Sequence, residues 1–213
     1  MQASLTSISL VLNILFLVLP LNAHAGTELY RDISLSNRQE LRHLYLSEPS
    51  PISSFNHSVQ AINWIAHQSK NISNKIPEEY SRRNLLRMIH YESTRYGLDP
   101  DLVLALIDVE SGFNRFSLSL VGASGLMQVM PFWKDFIGQN KDSLFDIHTN
   151  LRYGCIILKH YIDQEQGNLE RGLARYNGSL GNPRYPNLVI KKWLEKYRFQ
   201  TLGNLKPAGA YFV

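Results

Sequence analysis

Glu110 stands at the end of an apolar run, Leu102-Val103-Leu104-Ala105-Leu106-Ile107. Ser111-Gly112-Phe113 follow it, then Ser119, then Gly122-Ala123-Ser124-Gly125-Leu126-Met127-Gln128-Val129-Met130-Pro131. A carboxyl group at the rim of an apolar helix is poorly hydrated in its ionised form. Its pKa should therefore rise toward the value that a general acid needs near neutral pH. The glycines that bracket the next loop let backbone come close to a ligand. Proton transfer from one acid is the chemistry these residues could carry.

Other chemistries find no support in the residues. Gly122-Ala123-Ser124-Gly125 is not a nucleophile elbow, because its second glycine comes one position too early. The seven histidines, at 24, 43, 57, 67, 90, 148 and 160, lack the paired spacing of a zinc protease. The single cysteine, Cys155, can complete neither a structural zinc site nor an intrachain disulfide. Its setting, Tyr153-Gly154-Cys155-Ile156-Ile157-Leu158, reads as a buried and inert thiol. Phosphate loops and dinucleotide fingerprints are also missing, so the expected chemistry needs neither metal nor cofactor.

The elements that must position Glu110 read as helices. Asp99-Pro100 supplies an N-cap and a proline at the first helical position, and the apolar helix should run from there to about Ser111. Within it Asp101 reads as solvated and Asp108 as a surface residue. Before it, Pro77-Glu78-Glu79 opens a helix to Tyr96 that buries Leu85, Ile89 and Tyr96 and ends at Gly97. After it, Pro131 starts a short helix with Trp133 and Phe136. Asn150 caps a longer helix through Ile156, Ile157, Leu158 and Tyr161. Asn168 caps one with Leu169, Leu173 and Tyr176 that stops at Asn177-Gly178, and a last helix covers about 187–197 with Val189, Trp193 and Leu194 on its apolar side. Strand alternation is limited to a short hairpin after Gly112, where Phe113, Phe116 and Leu118 alternate. The fold class is mainly α.

Residues 26–80 read as a smaller helical extension. Ser36-Asn37-Arg38-Gln39 has the form of a capping box, and a helix with Leu41, Leu44 and Tyr45 would follow it. Glu48-Pro49-Ser50-Pro51 breaks the chain. A second helix would bury Val59, Ile62, Ile65 and Ala66, with Trp64 near its edge.

The 213 residues, 44% of them hydrophobic, suffice for one domain with a proper core plus a smaller segment. A net charge of +4 and a pI near 9.1 are mildly basic. The 22 lysines and arginines are scattered, which argues against a nucleic-acid surface. Residues 1–25 contain no Lys, Arg, Asp or Glu and close on Ala23-His24-Ala25 after an apolar stretch from Ile8 to Leu19. They read as a signal peptide cleaved after Ala25, since that stretch is shorter than the ~20 residues of a spanning helix. An exported, periplasmic protein is the expectation.

Taken in order, Glu110-Ser111-x-Phe113, Ser119, Gly122-Ala123-x-Gly125-Leu126-Met127-Gln128-x-Met130-Pro131, Asn150-Leu151-x-x-Gly154 and Tyr176-Asn177-Gly178 resemble the SLT domain of the soluble lytic transglycosylases. The resemblance covers about Leu85 to Tyr197. It implies a helical, goose-type lysozyme-like fold. It also implies cleavage of peptidoglycan between N-acetylmuramic acid and N-acetylglucosamine, leaving a 1,6-anhydromuramoyl end. By the same resemblance Glu110 is the sole catalytic acid and then base. Ser119, Gln128 and Tyr176 contact the sugar, Met127 lines the cleft and Asn177 braces it. Most glycosidases use two carboxylates, but a substrate N-acetyl oxygen can replace the second, in keeping with a motif that holds only one.

The chain departs from the pattern at Arg115, where proline is frequent, and at Leu118, where alanine is common. It also has Arg175-Tyr176-Asn177-Gly178-Ser179 in place of Ala-Tyr-Asn-Ala-Gly. The expected organisation is a signal peptide (1–25), a helical extension (26–80), the SLT domain (81–200) and a tail (201–213). Three alternatives stay open: a hydrolase of lysozyme type, a non-catalytic peptidoglycan-binding protein, and a cell-wall opener for a secretion, conjugation or flagellar machine. The last would depend on an envelope-complex partner bound through residues 26–80.

Overall fold

The computed structural model describes residues 34–46 and 58–199. The expected signal peptide, the Glu48–Pro51 break and the tail from 201 lie outside these residues. Eight α-helices account for most of what is described: α1 (Leu35–Leu46), α2 (Ser58–Asn71), α3 (Glu79–Arg95), α4 (Pro100–Glu110), α5 (Trp133–Ile137), α6 (Ile147–Gln164), α7 (Leu169–Asn177) and α8 (Arg184–Lys192). A single wide π turn, Trp193–Tyr197, continues α8. The mainly α fold class holds, with no strand among the described residues. The hairpin expected after Gly112 reduces to two isolated antiparallel bridges, Leu118 with Ser124 and Ser124 with Val129. Phe113 is buried there, while Phe116 and Leu118 are exposed, so the alternation does not build a sheet face.

The core is organised on α4. Asp99 caps it, its side chain accepting from the Asp101 amide at 2.7 Å, and Pro100 follows at the first position. Every residue from Asp101 to Val109 is buried. A helix apolar on nearly all sides must be surrounded, and α3, α8 and the π turn pack around α4. α6 lies against α3 and α7, and α1 against α5 and α6.

Caps account for most helix starts, with two corrections. Ser34, not Ser36, starts α1, its hydroxyl accepting from the Asn37 amide at 3.2 Å. Asp146, not Asn150, caps α6 by accepting from the Thr149 amide at 2.9 Å. Asn168 caps α7 as expected, and Gly178 ends it in the left-handed conformation.

The inward face of α2 is rotated from the expected one. Val59 and Ile62 are 65% and 66% exposed, whereas Trp64, Ile65, Gln68, Ser69 and Ile72 are buried. The cause is polar. Asp101, expected in solvent, is buried and accepts from Trp64 Nε1 and Gln68 Nε2, each at 2.7 Å, and from the Phe199 amide at 2.7 Å. Gln68 Nε2 also donates to the Tyr197 carbonyl. These bonds dock α2 on the start of α4 and on the chain after the π turn, and they select the Trp64–Gln68 face over the more apolar one. At the other end, the Tyr45 hydroxyl of α1 and the Tyr153 hydroxyl of α6 both donate to Asp142 Oδ2, at 2.6 and 2.7 Å. The helices of the expected extension are therefore bonded directly to those of the expected domain, within one compact unit.

Replacing Asp101 by Ala takes away the acceptor shared by the Trp64, Gln68 and Phe199 donors, with Gln68 keeping the Tyr197 carbonyl, at about 1–3 kcal/mol for a buried donor that loses its bond. Some relaxation offsets that sum. The Asp101→Ala protein is expected to lose about 3 kcal/mol of unfolding free energy in urea titration.

Candidate active site

α4 ends at Glu110, and Ser111 turns the chain away from it. The Ser111 amide bonds the Ile107 carbonyl at 3.0 Å, and its hydroxyl donates to the Leu126 carbonyl at 2.7 Å. This second bond ties the helix end to the loop 112–131. Phe113 takes a positive φ of 69° and its side chain returns to the core, packing near Tyr197.

Asn150 then fixes the loop from below. It is fully enclosed in α6, and its Oδ1 accepts from the Met127 amide at 2.8 Å while its Nδ2 donates to the Ser124 and Leu144 carbonyls, both at 2.8 Å. Two glycines permit that approach. A Cβ on Gly125, where φ is +79°, would lie 2.3 Å from Asn150 Nδ2 and 2.4 Å from the Leu144 carbonyl. A Cβ on Gly154 would lie 2.3 Å from Met127 Sδ. The two short signatures that hold Gly125 and Asn150-Leu151-x-x-Gly154 are parts of one packed joint.

Glu110 retains partial exposure as a residue, but its carboxyl group is enclosed. Burial pushes its pKa up to about 7, against the smaller lowering effect of a hydrogen bond from the Tyr185 hydroxyl to Oε1 at 2.5 Å. Among the described residues no second carboxylate contributes to that shift. Asp108, two residues earlier and expected on the surface, is buried and engaged by Lys192, Lys196 and Tyr197. Burial raises its pKa, but those three partners outweigh it and hold the carboxyl below the ordinary range.

The remaining expected site residues group around the same loop. The Tyr176 hydroxyl donates to the Met127 carbonyl at 2.7 Å, and Tyr176 is close enough to Tyr185 to help hold that phenol protonated. Ser119 Oγ accepts from the Ala123 amide at 2.9 Å. Gln128, at φ 48°, donates from Nε2 to the Ser117 and Gly125 carbonyls at 3.1 and 3.0 Å. Asn177, half-buried, is the last residue of α7. Met127 is a correction: with no exposed surface it lies beneath the loop against Gly154 and does not line an open cleft. Arg175 pairs with Glu165, as does Arg171, and so secures the turn before α7.

Tyr185 was not legible as a site residue. It belongs to none of the motifs, and its only signal is a place in the first turn after Asn182-Pro183, one turn ahead of the buried Val189. Cys155 is buried, and burial lifts its thiol well above the ordinary range, so it is inert as expected.

The transglycosylase SLT domain family matches residues 87–195, just over half of the chain. Among curated relatives, the chain is 37% identical over 89 residues to a membrane-bound lytic murein transglycosylase C of Glaesserella parasuis. That match covers 38% of this chain and 24% of the relative. It is 34% identical over 125 residues to the protein of the same name in Edwardsiella ictaluri, covering 50% and 35%. It is 32% identical over 106 residues to a transglycosylase of Enterobacteria phage PRD1, covering 46% and 39%. The chain thus spans between about a quarter and two fifths of these relatives' own length. Among solved structures, the lytic transglycosylase Slt of Pseudomonas aeruginosa aligns at 21% identity and a TM-score of 0.41, over 81% of this chain and 32% of that one. That likeness adds nothing to the fold read from the helices. From the match over residues 87–195, the chain belongs to the transglycosylase SLT domain family.

Proposed function

We propose that this protein is a peptidoglycan lytic transglycosylase, with Glu110 as its only catalytic carboxyl group. The observation that carries the reading is the state of Glu110. Its carboxyl group is enclosed, burial pushes its pKa up to about 7, and among the described residues no second carboxylate acts on it. Two-carboxylate glycosidases hold their pair ~5–9.5 Å apart. The neighbouring Asp108 cannot serve as that partner, because Lys192, Lys196 and Tyr197 occupy it.

Protonated Glu110 gives its proton to the oxygen that links N-acetylmuramic acid to N-acetylglucosamine, and the bond to the anomeric carbon breaks. The N-acetyl carbonyl oxygen of the muramoyl residue takes the nucleophile's place. The glutamate then accepts the proton of the muramoyl 6-hydroxyl as that oxygen attacks the anomeric carbon and displaces the N-acetyl oxygen, closing the 1,6-anhydro ring, regenerating the N-acetyl group and restoring the acid. The Tyr185 hydroxyl stabilises the carboxylate between the two transfers.

Ser119, Gln128, Tyr176 and Asn177 are assigned to substrate binding. The Ser119 hydroxyl accepts a loop amide and keeps its own proton to donate. Both amide protons of Gln128 point inward, which leaves Oε1 to accept from a sugar. Met127 supports the site through its carbonyl, which holds Tyr176. Export through residues 1–25 and action in the periplasm belong to this reading. A variant in which a partner binds through residues 26–80 draws support from the exposed Val59 and Ile62 on α2.

Purified protein acting on sacculi is expected to release fragments with 1,6-anhydromuramoyl ends, lighter by one water than hydrolytic products, and Glu110→Gln to release none; mass spectrometry of the digests reads both. Because the donor must carry its proton, kcat/KM is expected to fall as pH rises through about 7.

The same shift fixes the sign of a stability effect. The folded protein keeps the Glu110 proton up to about 7, while the unfolded chain releases it near 4.5. Glu110 therefore favours folding least at high pH, and its unfavourable contribution grows between those values. Glu110→Gln is expected to match wild type at pH 4 and to exceed it by on the order of 2 kcal/mol at pH 8, by urea titration at each pH.

A further inference from the structure

Asp108 is almost wholly out of water, with 3% of its side chain exposed. Its Oδ2 accepts from Lys192 Nζ at 2.9 Å, Lys196 Nζ at 3.0 Å and the Tyr197 hydroxyl at 2.9 Å. All three donors come from the end of α8 and the π turn. Tyr185, which bonds Glu110, and Lys192 are seven residues apart on α8, two turns along one face. Val189, between them, is fully buried. α8 is thus held on α4 at two places, Tyr185 on Glu110 and Lys192 on Asp108.

An apolar residue at 108 would fill the same space without desolvating a carboxylate. What the carboxylate adds is direction, since three donors converging on one oxygen fix how α8 and the π turn sit on the catalytic helix. We propose that Asp108, acting through Lys192 and Lys196, is a positioning residue for the general acid, setting where the Tyr185 hydroxyl meets Glu110. This rests on the assignment of Glu110 as the acid.

Direct electrostatics and positioning act in opposite directions, which makes the proposal testable. The groups facing Asp108 are Lys192 of α8 and Lys196 and Tyr197 of the π turn; Tyr185 of α8 faces Glu110, with Tyr176 of α7 near Tyr185. Removing only the charge of Asp108 leaves two ammonium groups uncompensated, which favours ionised Glu110 and moves the alkaline limb of the pH profile to lower pH. Losing the Tyr185 bond removes a stabiliser of the ionised form and moves that limb to higher pH.

The experiment measures kcat and KM on soluble peptidoglycan fragments from pH 5 to pH 9 for wild type, Asp108→Asn, Tyr185→Phe and the double variant, with Glu110→Gln as control. Asp108→Asn is expected to lower kcat about ten- to a hundredfold with KM little changed. Its alkaline limb should shift to higher pH, as in Tyr185→Phe, and it should cost nothing further in the Tyr185→Phe background. A limb that stays in place or moves to lower pH, or losses that multiply in the double variant, overturns the proposal. If Asp108→Asn does not fold, Lys192→Gln combined with Lys196→Gln replaces it, and the same non-additivity with Tyr185→Phe decides. Active wild type and inactive Glu110→Gln beside an unshifted Asp108→Asn reject the positioning role alone. Glu110→Gln that keeps wild-type turnover rejects the acid assignment and this inference with it.

Discussion

The cost of holding one carboxyl group away from water, at the end of a helix buried on all sides, is the constraint on which this structure turns. α4 is buried from Asp101 to Val109, so its last residue sits where core gives way to loop. That setting keeps the Glu110 proton in place at a pH where an ordinary glutamate has lost it. The hydroxyl of Tyr185 limits the effect and gives the ionised form one partner. The proposed acid and base work by one group requires a pKa close to the working pH in both directions, and burial opposed by one hydrogen bond pushes the Glu110 carboxyl that way.

The rest of the fold keeps that helix end and the following loop in register. Asn150 serves three backbone groups of the chain between Ser124 and Leu144, while Gly125 and Gly154 remove the atoms that would block it. Ser111 bonds the same loop to α4, and Tyr176 bonds it to α7. A loop tied from three helices can present Ser119 and Gln128 at fixed places although it contains no regular structure. On the opposite side, Asp101 uses the charge of a carboxylate to dock α2, which explains why that helix turns Gln68 inward and leaves Ile62 in solvent.

Much of this was legible in the sequence, for identifiable reasons. Helix limits set by local chemistry were: Asp99-Pro100, Asn168 and Gly178 act through atoms within a few residues of themselves. The upward shift of the Glu110 pKa was legible because an acid that follows six apolar residues is poorly hydrated. Features that depend on distant chain were not. Asp108 and Asp101 looked solvent-bound because their partners lie 84 to 98 residues ahead, at Lys192, Lys196, Tyr197 and Phe199, or 33 to 37 residues behind, at Gln68 and Trp64. Asn150 looked like a cap because capping is what asparagine most often does near a helix start, and its actual bonds run to residues 127, 124 and 144. The one local signal of Tyr185, its place one turn ahead of a buried valine, usually marks packing and so did not point to a site.

The proton on Glu110 can be followed without substrate. Carboxyl-carbon NMR of protein labelled at glutamate, with Glu110→Gln used to assign the resonance, gives the titration midpoint of Glu110 directly. A midpoint near 7 is the expected result. A midpoint at or below the ordinary 4.5 would mean that the carboxyl group is well hydrated, and would contradict the account.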